Sequence, residues 1–272
     1  MPLFADPTLD AHFPSMTNYI TFHSQGATLN GRFFVAQGEG VHPTILLLHG
    51  YPGIEQNFDL AQALRRTGWH VITFHYRGAW GSDGLFSVEN ALEDALAVLD
   101  TLHDENFAAQ HRIDRERIVV IGHSMGGFAA LWAASQRAFV HGAVSLAGFN
   151  FGAHAQLLTD DEDDLVYEAA LWNQEAAPLK GASGMALVQE MVAHKQVWDI
   201  TTFAATTHAN ILLVMGKQDP VCPLPTHYDA PLRAYQQAGV RITGKIINGD
   251  HSFAGSRVQL AETVAEWLES LQ

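Results

Sequence analysis

"RIVVIGHSMGGFAALWAA", residues 117–134, runs a continuous apolar segment into a helical one, with Ser124 at the join, Gly122 before it and Gly126 and Gly127 after it. The five residues Gly122-His123-Ser124-Met125-Gly126 match G-x-S-x-G, a strand-to-helix turn that lifts a serine Oγ above the edge of a sheet. Glycine is needed at the flanks because neighbouring backbone leaves no room for a Cβ. The helix that follows points its positive dipole end at the serine oxygen, where negative charge develops during attack on a carbonyl. The same five residues also suit a plain strand–helix turn, so Ser124 becomes a nucleophile candidate only if the chain supplies its partners.

Outward from this join, further apolar runs bounded by turn residues read as strands: "PTILLLHG" (43–50), "WHVITFHYRG" (69–78), "GAVSLAG" (142–148), "ANILLVMGKQD" (209–219) and "VRITGKIINGD" (240–250). Helical periods lie between them near 56–67, 88–103, 125–137, 226–238 and 256–271. Over 88–103, Val88, Ala91, Leu92, Ala95, Leu96, Val98, Leu99 and Leu102 fall on one helical face, with Glu89, Glu93, Asp94 and Asp100 mostly off it. Continuous apolar strands alternating with amphipathic helices predict an α/β fold with a mostly parallel, twisted sheet covered on both faces. Ahead of it, "NYITFHS" (18–24) and "LNGRFFVAQ" (29–37) alternate in character and join through Gln25-Gly26, which predicts an antiparallel hairpin. The alternation stops after Gly148: residues 149–208 hold helical stretches near 160–175 and 183–197 and no convincing strand. The expected organisation is a core of residues 1–148 and 209–272 with 149–208 inserted as a helical lid over a site.

A serine hydroxyl needs a base, and the base needs an orienting acid. Asp219 directly follows one predicted strand and His251 the next, in the chain order Ser, Asp, His, at the carboxyl ends of strands where open α/β sheets bind ligands. Asp250 competes for the acid's role, but a residue adjacent to the base leaves the backbone in the opposite direction and suits holding its own loop. The oxyanion donors expected are the backbone N–H groups of Met125, after the nucleophile, and of Tyr51 in "HGYPG"; Pro52 has none to offer.

"LLLHGYPG", "GHSMGG", "GKQDPVCP" and "GDHSF" together resemble the α/β-hydrolase superfamily. "HGYPGIEQNFDLAQALRRTGW" and "FHYRGAWGSDGLFSVENALEDA" are more closely similar to bacterial serine esterases related to dienelactone hydrolases and to prolyl-oligopeptidase-type catalytic domains. The resemblance covers nearly the whole chain except 149–208. It implies Ser124 as nucleophile, His251 as base and Asp219 as acid. The elbow residue is Ser where dienelactone hydrolases carry Cys, which points away from dienelactone chemistry.

The remaining features narrow the class. With 272 residues, 47% apolar, the chain can bury one large core, and a net charge of −14 opposes nucleic acid and anionic membranes as partners. No apolar run reaches the roughly 18–20 residues of a membrane span. The N-terminus has no basic signal-type region, and Cys222 is the sole cysteine, so a cytoplasmic setting is expected. Fifteen histidines, scattered without H-E-x-x-H or paired cysteines, are read as polar and structural rather than metal ligands. No phosphate-binding glycine motif occurs, so no cofactor is expected. His123, His49 and His75 are read as packed or backbone-bound, and Cys222 as a small buried residue. In the insertion, "TDDEDD" (159–164) is read as a solvated first helical turn capped by Thr159, with an acidic rim that attracts amines as the alternative. Of its apolar residues Phe149, Phe151, Leu157, Leu158, Leu165, Tyr167, Leu171, Trp172, Met185, Leu187, Met191, Trp198 and Phe203, some are expected to dock it on the body and the remainder to line an apolar pocket. The expected activity is carboxylic ester hydrolysis on small, neutral esters with apolar acyl groups. A serine amino- or oligopeptidase on the same residues is the alternative, and a non-catalytic binding protein on this fold the third reading.

Overall fold

The structure is a computed structural model that describes residues 3–159 and 161–271. The apolar runs form a single sheet of β1 (Met16–Ser24), β2 (Ala27–Val35), β3 (His42–Leu48), β4 (His70–Phe74), β5 (Ile113–His123), β6 (Val140–Leu146), β7 (Asn210–Gly216) and β8 (Ile242–Ile247). Their spatial order is β1-β2-β4-β3-β5-β6-β7-β8. The β1–β2 hairpin is antiparallel and joins β4 through a second antiparallel pairing, whereas every pairing from β4 to β8 is parallel. Ile45 to Leu48, Ile118 to Ile121 and Ile211 to Val214 are buried on both faces, as expected of strands sandwiched between helices.

The covering helices are α1 (Phe58–Arg66), α2 (Val88–His103), α4 (Met125–Gln136) and α10 (Arg257–Glu269), with α1 packed on α10 and α2 on α4. α4 is apolar on nearly every side because it lies against β5 and β6 and under α2. Asp94 departs from the amphipathic reading of α2. It is fully buried, and its carboxylate accepts from the Arg77 backbone N–H at 2.7 Å and from Arg77 Nε at 2.6 Å. A charge tolerates the core there because both oxygens are bonded to a cationic residue.

Between β6 and β7 the chain forms α5 (Phe151–Leu157), α6 (Glu162–Asn173), α7 (Gly184–Ala193) and a single turn, α8 (Ile200–Phe203). α6 starts later than predicted and is capped by Asp161, whose side chain accepts from the Asp163 N–H at 2.9 Å. Thr159 is therefore not the cap; its hydroxyl bonds the Asp164 carboxylate instead. Asp160, also in the acidic run, lies outside the described residues. The inserted segment is fastened to the body at several points. Glu190 on α7 accepts from the Val88 and Glu89 N–H groups at 3.0 and 2.7 Å, so a carboxylate of the insertion caps α2. Lys180 exchanges backbone bonds with Gly78 and Phe86. Asn150, fully buried, binds Asp199 and the Ile200 amide, and its own amide donates to His227 Nδ1 at 2.8 Å. Among the described residues no helix is long and apolar enough to cross a membrane.

Two further elements went unpredicted. Residues 105–111 form α3 (Glu105–His111), capped by Asp104, and β5 begins at Ile113, four residues before the apolar run. The predicted helix at 226–238 is split into a π-helical turn, Pro225–Asp229, and α9 (Ala230–Gln237).

Candidate active site

The turn between β5 and α4 is as tight as its glycines require. A Cβ on Gly122 would collide with the backbone of Gly126, and one on Gly126 with the carbonyl of Leu48. Ser124 sits between them at φ 56°, ψ −119°, a conformation an L-residue holds only when its surroundings insist. Those surroundings are specific. The Ser124 N–H donates to the Leu146 carbonyl at 2.9 Å, and the Ser124 carbonyl accepts from Gly127, Phe128 and Phe149. β6 and the start of α4 thus hold the strained residue from both sides.

β7 and β8 bring the other two residues together. The Lys217 N–H donates to Ile247 at 2.7 Å and the Gln218 N–H to Gly249 at 3.0 Å, which aligns the loops after both strands. Asp219 Oδ2 accepts from His251 Nδ1 at 2.8 Å, while its Oδ1 accepts from the Val221 and Cys222 amides at 2.8 and 2.9 Å. The Asp219 side chain is fully enclosed. Burial pushes its carboxyl up, but the His251 bond and charge and the two amides outweigh it, and the group titrates below the usual range. With Nδ1 engaged, the free ring nitrogen of His251 is Nε2, and Ser124 and His251 line one cavity of about 410 Å³. Asp250 is occupied elsewhere: its Oδ1 accepts from the Ala254 amide at 2.8 Å and closes the turn after the histidine.

The loop after β3 lies directly against the serine, since a Cβ on Gly50 would stand 3.0 Å from Ser124 Cβ. Tyr51 and Met125 both line the cavity. Met125 opens α4, where an amide has no intrahelical acceptor, and among the described residues neither its N–H nor that of Tyr51 is engaged by the chain.

His123, read as a packed histidine, has a sharper role, and the Tyr51 side chain has one beside the donor expected of its backbone. His123, 4% exposed, donates from Nε2 to the His251 carbonyl at 2.8 Å, and the two rings lie 4.9 Å apart. Burial pulls its pKa down to about 4, so it supports the His251 backbone as a neutral ring. Tyr51 reaches from the body into the insertion, its hydroxyl donating to the Trp172 carbonyl at 2.8 Å. His49 binds the Gly50 carbonyl through Nδ1, as read, whereas His75 Nδ1 is buried with no hydrogen-bond partner. Cys222 is buried and donates to the Ala147 carbonyl at 3.4 Å, with burial pushing its thiol well up. Asp219, Cys222 and His251 are, among the described residues, the group whose ligand atoms cluster within 4.8 Å. The carboxylate and imidazole already bond each other and the thiol holds its proton, so the donor chemistry favours a proton relay over an ion site.

The cavity also contains residues that sequence reasoning missed. Glu168 and Glu175 line it beside Trp172, as does His154. The only sequence signal was the i, i+4 spacing of Glu168 and Trp172, which are joined by a 2.7 Å bond on α6. None of Asp161 to Asp164 reaches the cavity; all four are exposed.

A serine on a strained strand–helix turn after β5, sharing a cavity with a histidine–aspartate pair from the ends of β7 and β8, defines the class to which the fold belongs. The alpha/beta hydrolase fold family model matches residues 43–199, and the chain belongs to that family. The matched span ends before Asp219 and His251, so those two rest on geometry. An uncharacterized 31.7 kDa protein of Escherichia coli is 35% identical over 136 residues, covering 49% of this chain and 46% of that protein. Lysophosphatidylserine lipase ABHD12 of Danio rerio is 34% identical over 88 residues, or 31% of this chain and 21% of the lipase. The chain thus spans half or less of these relatives' length. Among solved structures, Est1E from Butyrivibrio proteoclasticus has a TM-score of 0.72 at 20% identity, covering 93% of this chain and 98% of its own. Pyrococcus horikoshii acylaminoacyl peptidase has a TM-score of 0.67 at 20% identity, covering 96% of this chain and 42% of its own. At such identities the likeness is one of fold.

Proposed function

We propose that the chain is a serine hydrolase of carboxylic esters. The observation that carries this reading is the 2.8 Å Asp219–His251 bond, made by residues on adjacent strand ends, in a cavity that also holds Ser124. His251 Nε2 takes the Ser124 proton as Oγ attacks the acyl carbon. The tetrahedral oxyanion is held by the Tyr51 and Met125 N–H groups, and the imidazolium by Asp219. Collapse breaks the ester C–O bond and His251 returns the proton to the leaving alkoxide. Water, deprotonated by the same nitrogen, then attacks the acyl-enzyme, and collapse breaks the acyl–Oγ bond as His251 returns the proton to Ser124, releasing the acid. The helical insertion acts as the lid of this site. Phe149, Phe151, Leu171 and Trp172 along the cavity support apolar acyl groups, and two carboxylates with no lysine or arginine among the lining residues support neutral over anionic esters.

A panel of p-nitrophenyl esters of increasing chain length, run beside aminoacyl p-nitroanilides and a carboxylate-ended ester, tests the reading. Short to medium neutral esters should turn over fastest. Turnover confined to the anilides would replace the esterase with a peptidase, and no turnover at all would remove the catalytic reading.

A further inference from the structure

Ester hydrolysis as proposed gives neither cavity carboxylate, Glu168 or Glu175, a part in the chemistry, and Glu168 is the more deeply enclosed. Glu168 projects from α6 with its side chain only 13% exposed. Both of its hydrogen bonds, from Trp172 Nε1 at 2.7 Å and His154 Nε2 at 2.9 Å, fall on Oε1. Oε2 has no protein partner among the described residues, although Glu168 lines the cavity. The His154 bond outweighs burial and holds the carboxyl below its usual range, so a carboxylate stands there at neutral pH.

Aromatic rings surround this carboxylate. Trp172 lies 5.1 Å from Tyr51 and 5.5 Å from Phe149, centroid to centroid, and Phe149 lies 4.9 Å from the His154 ring. Glu175 lines the same cavity and also a neighbouring pocket of about 230 Å³, which shares Tyr51 and His251 with it. Neither is lined by a lysine or an arginine. Ring faces attract a cation through their quadrupoles, and an enclosed carboxylate attracts it through a field that water screens poorly.

We propose that the site is built for esters carrying an ammonium group, primary or quaternary, seated among Tyr51, Phe149 and Trp172 with Glu168 as its counter-ion. This deepens the ester-hydrolase reading and rests on it. A neutral group of the same shape gains only apolar contact there, and an anionic one is repelled.

Isosteric pairs isolate charge from shape: p-nitrophenyl esters whose acyl chain ends in trimethylammonium or in tert-butyl, and acetyl esters of choline or of 3,3-dimethylbutanol. The cationic member of at least one pair should have kcat/KM about tenfold higher. Glu168→Gln should bring that ratio close to one, and Asp163→Asn, in the exposed first turn of the same helix, should leave it unchanged. Glutamine keeps an Oε1 that can accept from Trp172 Nε1, so this substitution removes the charge while retaining the bond that holds the ring. Calorimetry with benzyltrimethylammonium gives a readout free of turnover, and Glu168→Gln should weaken that binding about tenfold. Binding with no ester turnover would sink the esterase and keep the ammonium site. Ester turnover with no cationic preference and no binding would sink the ammonium site and keep the esterase. An equal loss of preference in Asp163→Asn would assign it to the general negative charge of the chain, which overturns the proposal.

Discussion

The sheet and the segment inserted between β6 and β7 are built differently. Strands β3 to β7 are buried over most of their length and sealed by helices on both faces, and Ser124, Asp219 and His251 follow the carboxyl ends of β5, β7 and β8. The insertion consists of short helices that leave large side chains in water, with Leu157 at 70% and Tyr167 at 69% exposure, yet it supplies Phe149, Phe151, Glu168 and Trp172 to the cavity. Fixed geometry belongs to the sheet, and the shape and charge of the cavity belong to the insertion. Changes at strand ends should therefore remove turnover, and changes in the insertion should alter which substrate is chosen.

The largest effect expected on the sheet side is that of Ser124→Ala, which should lower kcat for p-nitrophenyl acetate by a factor on the order of 10⁴–10⁶ in a folded protein. Asp219→Asn should lower it by about 10³–10⁴, since the imidazole loses its orienting acid. Asp250→Asn should act on stability, slightly, by turning the charged acceptor of the Ala254 bond into a neutral one, and leave kcat within about tenfold. A folded Asp250→Asn protein with the greater loss of kcat would exchange the two roles.

Acid should weaken the sheet body in particular. Burial pulls His49 and His70 down to about 3 and His123 and His227 to about 4, so all four fold as neutral rings. The unfolded chain protonates them near pH 6.5, so their contribution is complete above that pH and is lost as pH falls toward 4 and 3. Between pH 6.5 and 5.5 each should remove up to about 1 kcal/mol, to be read from urea unfolding at the two pH values. A constant unfolding free energy over that interval would mean that these rings are not held neutral.

At the seam between the regions, Tyr51→Phe removes only the hydroxyl that ties the loop after β3, the proposed source of an oxyanion donor, to Trp172. A net hydrogen bond of about 1 kcal/mol predicts a severalfold fall in kcat with little change in KM. A change in KM alone would mean that the tie shapes the pocket without positioning the loop. The smallest effect is expected for Glu162→Gln, in the exposed turn of α6, where neutral-ester turnover should stay within about twofold.

The same contrast governs what could be read from sequence. The sheet was legible because buried parallel strands are uninterrupted apolar runs, and the three strand-end residues followed from their order in the chain. The insertion was legible as helical and as a source of apolar cavity residues such as Phe149 and Trp172, but not in its detail. Its α5 contains Gly152, which packs against the Trp198–Asp199 backbone and weakens any helical signal. The cap of α6 was misplaced because Thr159 and Asp161 are both capping types two residues apart, and only the fold chooses between them. Asp94 looked like a solvated charge on α2 because its partner, Arg77, lies on another element. His154 and Glu168, fourteen residues apart on separate helices, meet because α5 and α6 both pack on α7. Pairings across elements are what a periodicity cannot carry.

The central claim, that Ser124 is the nucleophile served by His251 and Asp219, is tested most directly by treating the protein with a fluorophosphonate and mapping the adduct by mass spectrometry. One adduct on Ser124, formed in step with loss of ester turnover and absent from Ser124→Ala, is the predicted result. An adduct on another residue, or full labelling of Ser124 with turnover intact, would contradict it.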